Sequence, residues 1–361
     1  RFAKGNAMAA VGSCVALVGI FVNLIVGLSV GPNASLATLI GQKRRGDING
    51  MLHTIMTFGA ILGIVLMGIG IGTAKIILEI SGTPESVLPE ALLYIRIYFI
   101  SIPFMVIYNF GAAILRSFGD TRRPMFYLII TGVVNVALNL FLVICCKLGV
   151  AGVAIATLIS NVLSAILVMV YLCRRKDEFK FCFRNIGIEK KYLKNILKIG
   201  IPAGVQGAIF SISNVFIQSG INSFGEDAIA GSSLALNFEY FTYDISNAFA
   251  QAAVTFISQN FGAGNIKRCK KIFWQCMAFG ICFTEVLAVV FMIWDDFFVS
   301  IYTTSSAIAA FGLIRMHHVC ALEGLTATYE VESAALRGMG KSLGPAIITI
   351  LGTVVIAGPN D

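Results

Sequence analysis

Six carboxylates interrupt long apolar runs in the C-terminal half of the chain: Glu239 and Asp244 in one run, Glu285 in the next, and Glu323, Glu330 and Glu332 in the one after. A bare charge held in such surroundings is costly, so these groups either pair with a cation or bind and release one. Glu323 and Glu330 are seven residues apart and lie within about 20° of each other around a helix. They could share one proton or ligate a sodium ion. Glu332 falls on another face. Depth within the runs singles out Glu239 and Glu330 as ion-coupling candidates, with Glu323 beside them. Pairing with a helix-end Arg, or lining an aqueous cleft, is the plainer role. Asp244, Tyr240, Tyr243 and Gln206 are candidates for contact with an organic cation, which aromatic faces attract. The N-terminal half has almost no acid in its apolar runs. Asn135 and Asn139 are four apart and share a helical face, and Thr157 follows on the next run. Hydrogen-bonded contacts between helices, worth about 1 kcal/mol each, would account for them equally well. His317 and His318 could move protons, although adjacent helical residues point in different directions.

The elements that carry these residues follow from composition. The chain is 57% hydrophobic and 13% charged, with a mean hydropathy of +0.84, which leaves too little polar surface for a soluble globule. Apolar runs are expected near 6–40, 51–78, 87–115, 124–145, 150–172, 195–223, 228–258, 271–293, 306–336 and 343–357, so the fold class is an all-α polytopic membrane protein. Glycine is abundant, and pairs such as Gly59 and Gly63 suit close helix packing. Nine cysteines show neither Cys-x-x-Cys nor Cys/His spacing, so disulfides, metal ligation and a bound cofactor are not expected.

The net charge of +8 is a topology signal and not a nucleic-acid footprint. Of the 27 Lys and Arg, 21 fall in alternate connections: Lys43 to Arg45, Arg116 to Arg123, Arg174 to Lys198, Lys267 to Lys271, and Arg337 with Lys341. The positive-inside rule assigns those connections to the cytoplasm. The longest, Arg174 to Lys198, is expected to end in an interfacial amphipathic helix.

The chain also repeats itself. Ala113-Ile114-Leu115-Arg116-x-x-Gly119-x4-Pro124 returns as Ala335-Leu336-Arg337-x-x-Gly340-x4-Pro345, with Arg, Gly and Pro offset by 221 residues. Tyr108 and Tyr329 share that offset, as do Asn6 to Ala10 and Asp227 to Gly231. Gln42-x3-Gly46-Asp47-Ile48 parallels Gln259-x4-Gly264-Asn265-Ile266 with one residue inserted. Arg116 and Arg337 are read as helix-end cations facing orphan carbonyls. Matching loop charge implies two parallel lobes, an arrangement typical of transporters. The first lobe is placed at 1–175, a linker at 176–194 and the second lobe at 195–361.

With Gly149-Val150-Ala151-Gly152-Val153-Ala154, Ile199-Gly200-Ile201-Pro202-Ala203, Gln259-Asn260-Phe261-Gly262-Ala263-Gly264 and Leu336-Arg337-Gly338-x-Gly340 in this order, the chain resembles the multidrug and toxic compound extrusion (MATE) transporters. The resemblance implies two six-helix lobes, of whose twelve helices about ten are present, equivalent to 2–6 and 7–11. It implies export of cationic amphipathic compounds in exchange for H+ or Na+, in a cell membrane, by a monomer. It maps Asn135, Asn139 and Thr157 onto the polar cluster of the DinF-like branch, where many relatives have Asp at the position of Asn139. The acids of the NorM-like branch align with Phe210 and Thr326, so that branch's sodium site does not carry over. A lipid-linked saccharide flippase shares this architecture, but its cavity needs buried Arg and Lys, and only Lys75, Arg96 and Arg315 are candidates. An intramembrane enzyme is the remaining alternative from another class, and the chain lacks the sequence motifs of one.

Overall fold

A computed structural model describes residues 5–80, 83–176, 179–303 and 305–356. Five helices open the chain: α1 (Gly5–Gly41), α2 (Arg45–Ile80), α3 (Leu88–Ser117), α4 (Arg122–Leu140), which runs into a π turn at Phe141–Cys145, and α5 (Gly149–Arg174). A short 3-10 turn at Phe183–Asn185 precedes α6 (Lys190–Asn222). Then come α7 (Glu226–Gly262), α8 (Ile266–Ile293), α9 (Asp295–Tyr302), α10 (Ser306–Cys320), α11 (Glu323–Gly338) and α12 (Leu343–Ile356). Among the described residues, seven helices are long and apolar enough to cross a membrane, or eight if the bent pair α10 and α11 is one span. The protein is an all-α, multi-pass integral membrane protein. At 36 residues, α2 extends about 54 Å, well beyond the roughly 30 Å of hydrocarbon, so its ends project into the interface.

Two features depart from the ten expected runs. The short helix α9 was not anticipated, and the run 306–336 is broken at Ala321 and Leu322, where α10 and α11 meet at 45°. Residue 357, the expected end of the last run, lies outside the described residues, as do the side chains of Asn6 to Ala9.

The chain forms two compact units, Arg1–Ser211 and Ile212–Asp361. In the first, α3 is central and packs on α1, α2 and α5. Phe99, Phe110, Ile95 and Ile102 on α3 are fully buried, and Phe21 meets Phe99 edge to face at 4.8 Å. Gly59 and Gly63 admit Phe110 and Pro103 of α3 against the α2 backbone. The helix α1 lies against α6 through Gly27, Gly31, Ala203 and Gly200, with Asn23 Nδ2 donating to Ser211 Oγ at 2.7 Å.

The basic connection ends in helix as expected, since α6 starts at Lys190 with Tyr192 and Ile196 buried and Lys190, Lys191 and Lys194 exposed. Ahead of it, residues 179–189 are not helical apart from one 3-10 turn. They are a strap whose backbone is tied to α2: Cys182 N–H donates to His53 Nε2 at 3.0 Å, Glu189 N–H to Thr54 Oγ1 at 3.1 Å and Gly187 N–H to Thr57 Oγ1 at 3.3 Å. Tyr192 OH and Lys191 Nζ then meet Asp47 Oδ1 at 2.5 and 3.1 Å. Pairing of polar backbone groups by α2 side chains removes the need for helical hydrogen bonds there.

In the second unit α7 packs on α8, α10 and α11. Phe238 anchors it, with Phe291, Phe298 and Tyr302 rings 5.0, 5.8 and 5.6 Å away. The repeat is stricter than the motifs suggest. The helix starts Gly5, Arg45 and Arg122 recur 221 residues later as Glu226, Ile266 and Leu343, and the ends Gly41 and Ser117 as Gly262 and Gly338. The residue expected to be inserted between Gln259 and Ile266, relative to the first copy, is therefore absent. The left-handed residue that closes α1 is Lys43 (φ 58°), whose counterpart at the same offset is Gly264 (φ 73°), so Gly46 is not the partner of Gly264.

Candidate functional site

The polar interior of the second unit is built from four helices, α7, α8, α10 and α11, at positions that are uncharged in the first. Glu239 on α7 forks onto Arg315 on α10, with Nε to Oε1 at 2.6 Å and Nη2 to Oε2 at 2.9 Å. The remaining guanidinium nitrogen Nη1 donates to Ser232 Oγ, one helical stretch before Glu239, at 2.7 Å. The two side chains are only 14% and 21% exposed, so this is a charge-assisted, bidentate pair in a low-dielectric setting.

Glu285 on α8 reaches the break between α10 and α11, where its Oε1 accepts the Gly324 N–H at 2.8 Å. No side chain of α11 caps its own N-terminus. A carboxylate there satisfies an orphan donor and complements the helix dipole. Glu323, the first residue of α11, is 6% exposed and lies in the electrostatic field of both Glu239 and Glu285. Cys320 ends α10 facing the same three acids. One Arg thus serves three carboxylates. Deeper along α7 and α8, Ser246 and Thr284 share a buried hydrogen bond at 2.9 Å.

Glu323 and Glu330 do not form the pair that their spacing suggested. Two helical turns separate them, about 10 Å along the axis, and each has other neighbours: Glu330 accepts from Tyr243 and faces the charge of Arg337. Tyr240 and Asp244 are exposed, Tyr243 is half-buried, and Gln206 is buried in the first unit. His317 binds Asp295 at 2.7 Å and His318 turns back to Ile314 O, so the two diverge and stand apart from the acids.

In the first unit, Asn139 Nδ2 donates to Asn135 Oδ1 at 3.0 Å, and the buried Asn139 Oδ1 has no partner. The π turn Phe141–Cys145 follows directly. Thr157 spends its proton on Val153 O of its own helix, at 3.0 Å, and is not bonded to either Asn.

The Gly and Pro positions of the repeated motif shape the same turn in both halves. Gly119 (φ 85°) and Gly340 (φ 78°) occupy the left-handed position after α3 and α11. Asp120 N–H reaches Leu115 O at 3.0 Å and Lys341 N–H reaches Leu336 O at 2.9 Å, the same closing bond at the same offset. Tyr108 OH donates to Pro124 O at 2.9 Å, whereas Tyr329 bonds to Thr349, which donates to Pro345 O at 3.0 Å.

The 221-residue offset is also the signal that locates the acid cluster. Opposite Glu239, Glu285, Arg315 and Glu323 the first half has Val18, Ile64, Tyr94 and Ile102, and opposite Gly324 it has Pro103. Reading acids by depth alone put Glu239, Glu323 and Glu330 forward but left out the partners Arg315, Ser232, Glu285 and Gly324. Among the other cations weighed for an anionic substrate, Arg96 is exposed and Lys75 lies 3.7 Å from Glu79 with 61% of its side chain exposed.

Comparison with known proteins is consistent throughout. The chain is 28% identical over 359 residues to the probable multidrug resistance protein YoeA of Bacillus subtilis, covering 97% of this chain and 77% of that protein. It is 31% identical to the probable multidrug resistance protein YpnP of the same organism, over 74% of this chain and 59% of YpnP, and 24% identical to the multidrug export protein MepA of Staphylococcus aureus, over 91% and 72%. These relatives are named for drug resistance or export, and none for an enzyme activity. A crystal structure of MATE in complex with MaD3S matches with a TM-score of 0.90 at 22% identity, covering 98% of this chain and 80% of that one, a likeness of fold. The outward-facing conformation of a multidrug resistance MATE family transporter matches with a TM-score of 0.90, also at 22% identity, over 98% and 79%. The MatE family profile matches residues 4–141 and 202–360, and the chain belongs to the MatE family.

Proposed function

We propose that the protein exports cationic amphipathic compounds across the cell membrane in exchange for H+ or Na+, by alternating access, with the acid cluster of the second unit as the coupling site. The observation that carries this reading is the convergence of Glu239, Glu285 and Glu323 in an interior where, among the described residues, the cation beside them is Arg315, bound to one of them. Three carboxylates against one guanidinium leave an excess of negative charge that taking up a proton or cation relieves. The names of YoeA, YpnP and MepA support drug export. A saccharide flippase would need unpaired positive charge for a pyrophosphate, and Arg315 is committed to Glu239.

Glu323 is the carboxylate to which this reading assigns ion uptake, since Glu239 is held by Arg315 and Glu285 by Gly324. An ion that bound both access states equally would couple nothing, so its occupancy must differ between them. The test is ethidium efflux from inverted membrane vesicles carrying the protein, under an imposed proton or sodium gradient. Efflux driven by one gradient names the coupling ion, and Glu323→Gln is expected to lower it at least tenfold with unchanged protein in the membrane. Absence of efflux with either ion, across several cationic dyes, would overturn drug antiport. Full efflux by Glu323→Gln would remove that residue from coupling.

A further inference from the structure

The break between α10 and α11 has a competing alternative written into its hydrogen bonds. In an unbroken helix the Gly324 N–H would bond to the carbonyl four residues back, that of Cys320. It bonds instead to Glu285 Oε1 at 2.8 Å, and the two helices meet at 45°. The first half shows the same turn without this diversion. Its counterpart of Gly324 is Pro103, which has no N–H to give, its counterpart of Glu285 is Ile64, and α3 runs uninterrupted from Leu88 to Ser117. Both halves thus lack the intrahelical bond at one register position, one for want of a donor and the other because an acid has taken it.

We propose that Glu285 is a positioning residue that switches the shape of α10 and α11. As a carboxylate it takes the Gly324 N–H and holds the pair bent. Neutralised by a proton, it becomes a much weaker acceptor and loses its attraction for the helix dipole, and the N–H passes to Cys320 O, joining the two helices into one. The groups facing Glu285 are Glu323 on α11, Glu239 on α7 with its Arg315 on α10, and the Cys320 thiol. Loading a proton onto this cluster would therefore reshape the helix that begins with Glu323. This device rests on the reading of the cluster as the coupling site for its purpose, but not for its geometry.

The shape can be measured without transport. Spin labels borne on non-cysteine side chains at the exposed positions Ser306 and Glu332 report the span of the bent pair in nanodiscs. By helix rise, straightening a 45° bend lengthens that span by about 3 Å. The expected result is a short distance in the unmodified protein at high pH and a long one at low pH, and a long one at all pH values in Glu285→Ala. Gly324→Ala is a second route to the same state, because its Cβ would overlap Glu285 Oε1 and displace the carboxylate. Both variants are compared at matched helix content and monodispersity. A short distance in either well-folded variant, or no response to pH in the parent, overturns the switch. Loss of dye export with the lengthening retained would count against the proposed transport and leave the switch standing.

Discussion

At the scale of single residues, the Glu239 and Arg315 pair sets what the other acids can do. Its two short bonds and the third that Arg315 donates to Ser232 occupy the guanidinium fork, so both oxygens of Glu239 are engaged by direct contact, while Glu323 has no such partner among the described residues. Removing one member of a buried pair leaves the other uncompensated, at a cost of about 3 kcal/mol, whereas removing both is far cheaper. Arg315→Met and Glu239→Gln are each expected to lower thermal stability more than the double substitution, read as Tm in detergent. Additive losses would show that the pair contributes only its separate contacts. The sequence displays every one of these residue types, and depth within apolar runs is enough to notice the acids. It does not display which acid meets which cation, because Glu239 and Arg315 are 76 residues apart and meet only through the packing of α7 on α10.

At the scale of elements, helix existence was legible because it depends on local apolar length and on the basic connections between runs. Helix interruption was not. The break at Ala321 and Leu322 goes with an acceptor supplied by α8; no proline lies near it, and the nearby Gly324 by itself only weakens a helix. The course of the strap before α6 was not legible for the same kind of reason: His53, Thr54 and Thr57 supply its backbone partners from elsewhere. His53 Nδ1 lies 2.8 Å from Asn49 O, which leaves Nε2 to accept from Cys182. Replacing His53 by Phe together with Thr54 by Ala removes two bonds worth about 1 kcal/mol each. Amide exchange at Cys182 and Glu189 is then expected to quicken by about fivefold or more, and unchanged exchange would mean that ring stacking of Phe181 on His53 holds the strap unaided. The closing turns offer a cleaner case. Gly340→Ala forces a side chain into left-handed backbone and is expected to cost about 1 kcal/mol, seen as a lower Tm, with Gly119→Ala costing the same.

At the scale of the whole molecule, the duplication was visible from three residue types in one motif, but its strictness was not. Aligning Gly46 with Gly264 by residue type introduced an insertion that the backbone does not have, since Lys43 adopts the turn conformation that Gly264 adopts. With that corrected, the starts of α1, α2 and α4 and the ends of α1 and α3 all recur at one offset, whereas α8 stops short of the offset end of α2. The first half is in effect a natural knockout of the second: a repeated scaffold with Val18, Ile64, Tyr94 and Ile102 in place of the charged set. Evolution has already carried out the multiple substitution that an experimenter would hesitate to make, and the scaffold tolerated it. Each residue of one half comes with its own paralogous control in the other, so chimeras that exchange matched helices can separate what the scaffold requires from what the charged interior adds.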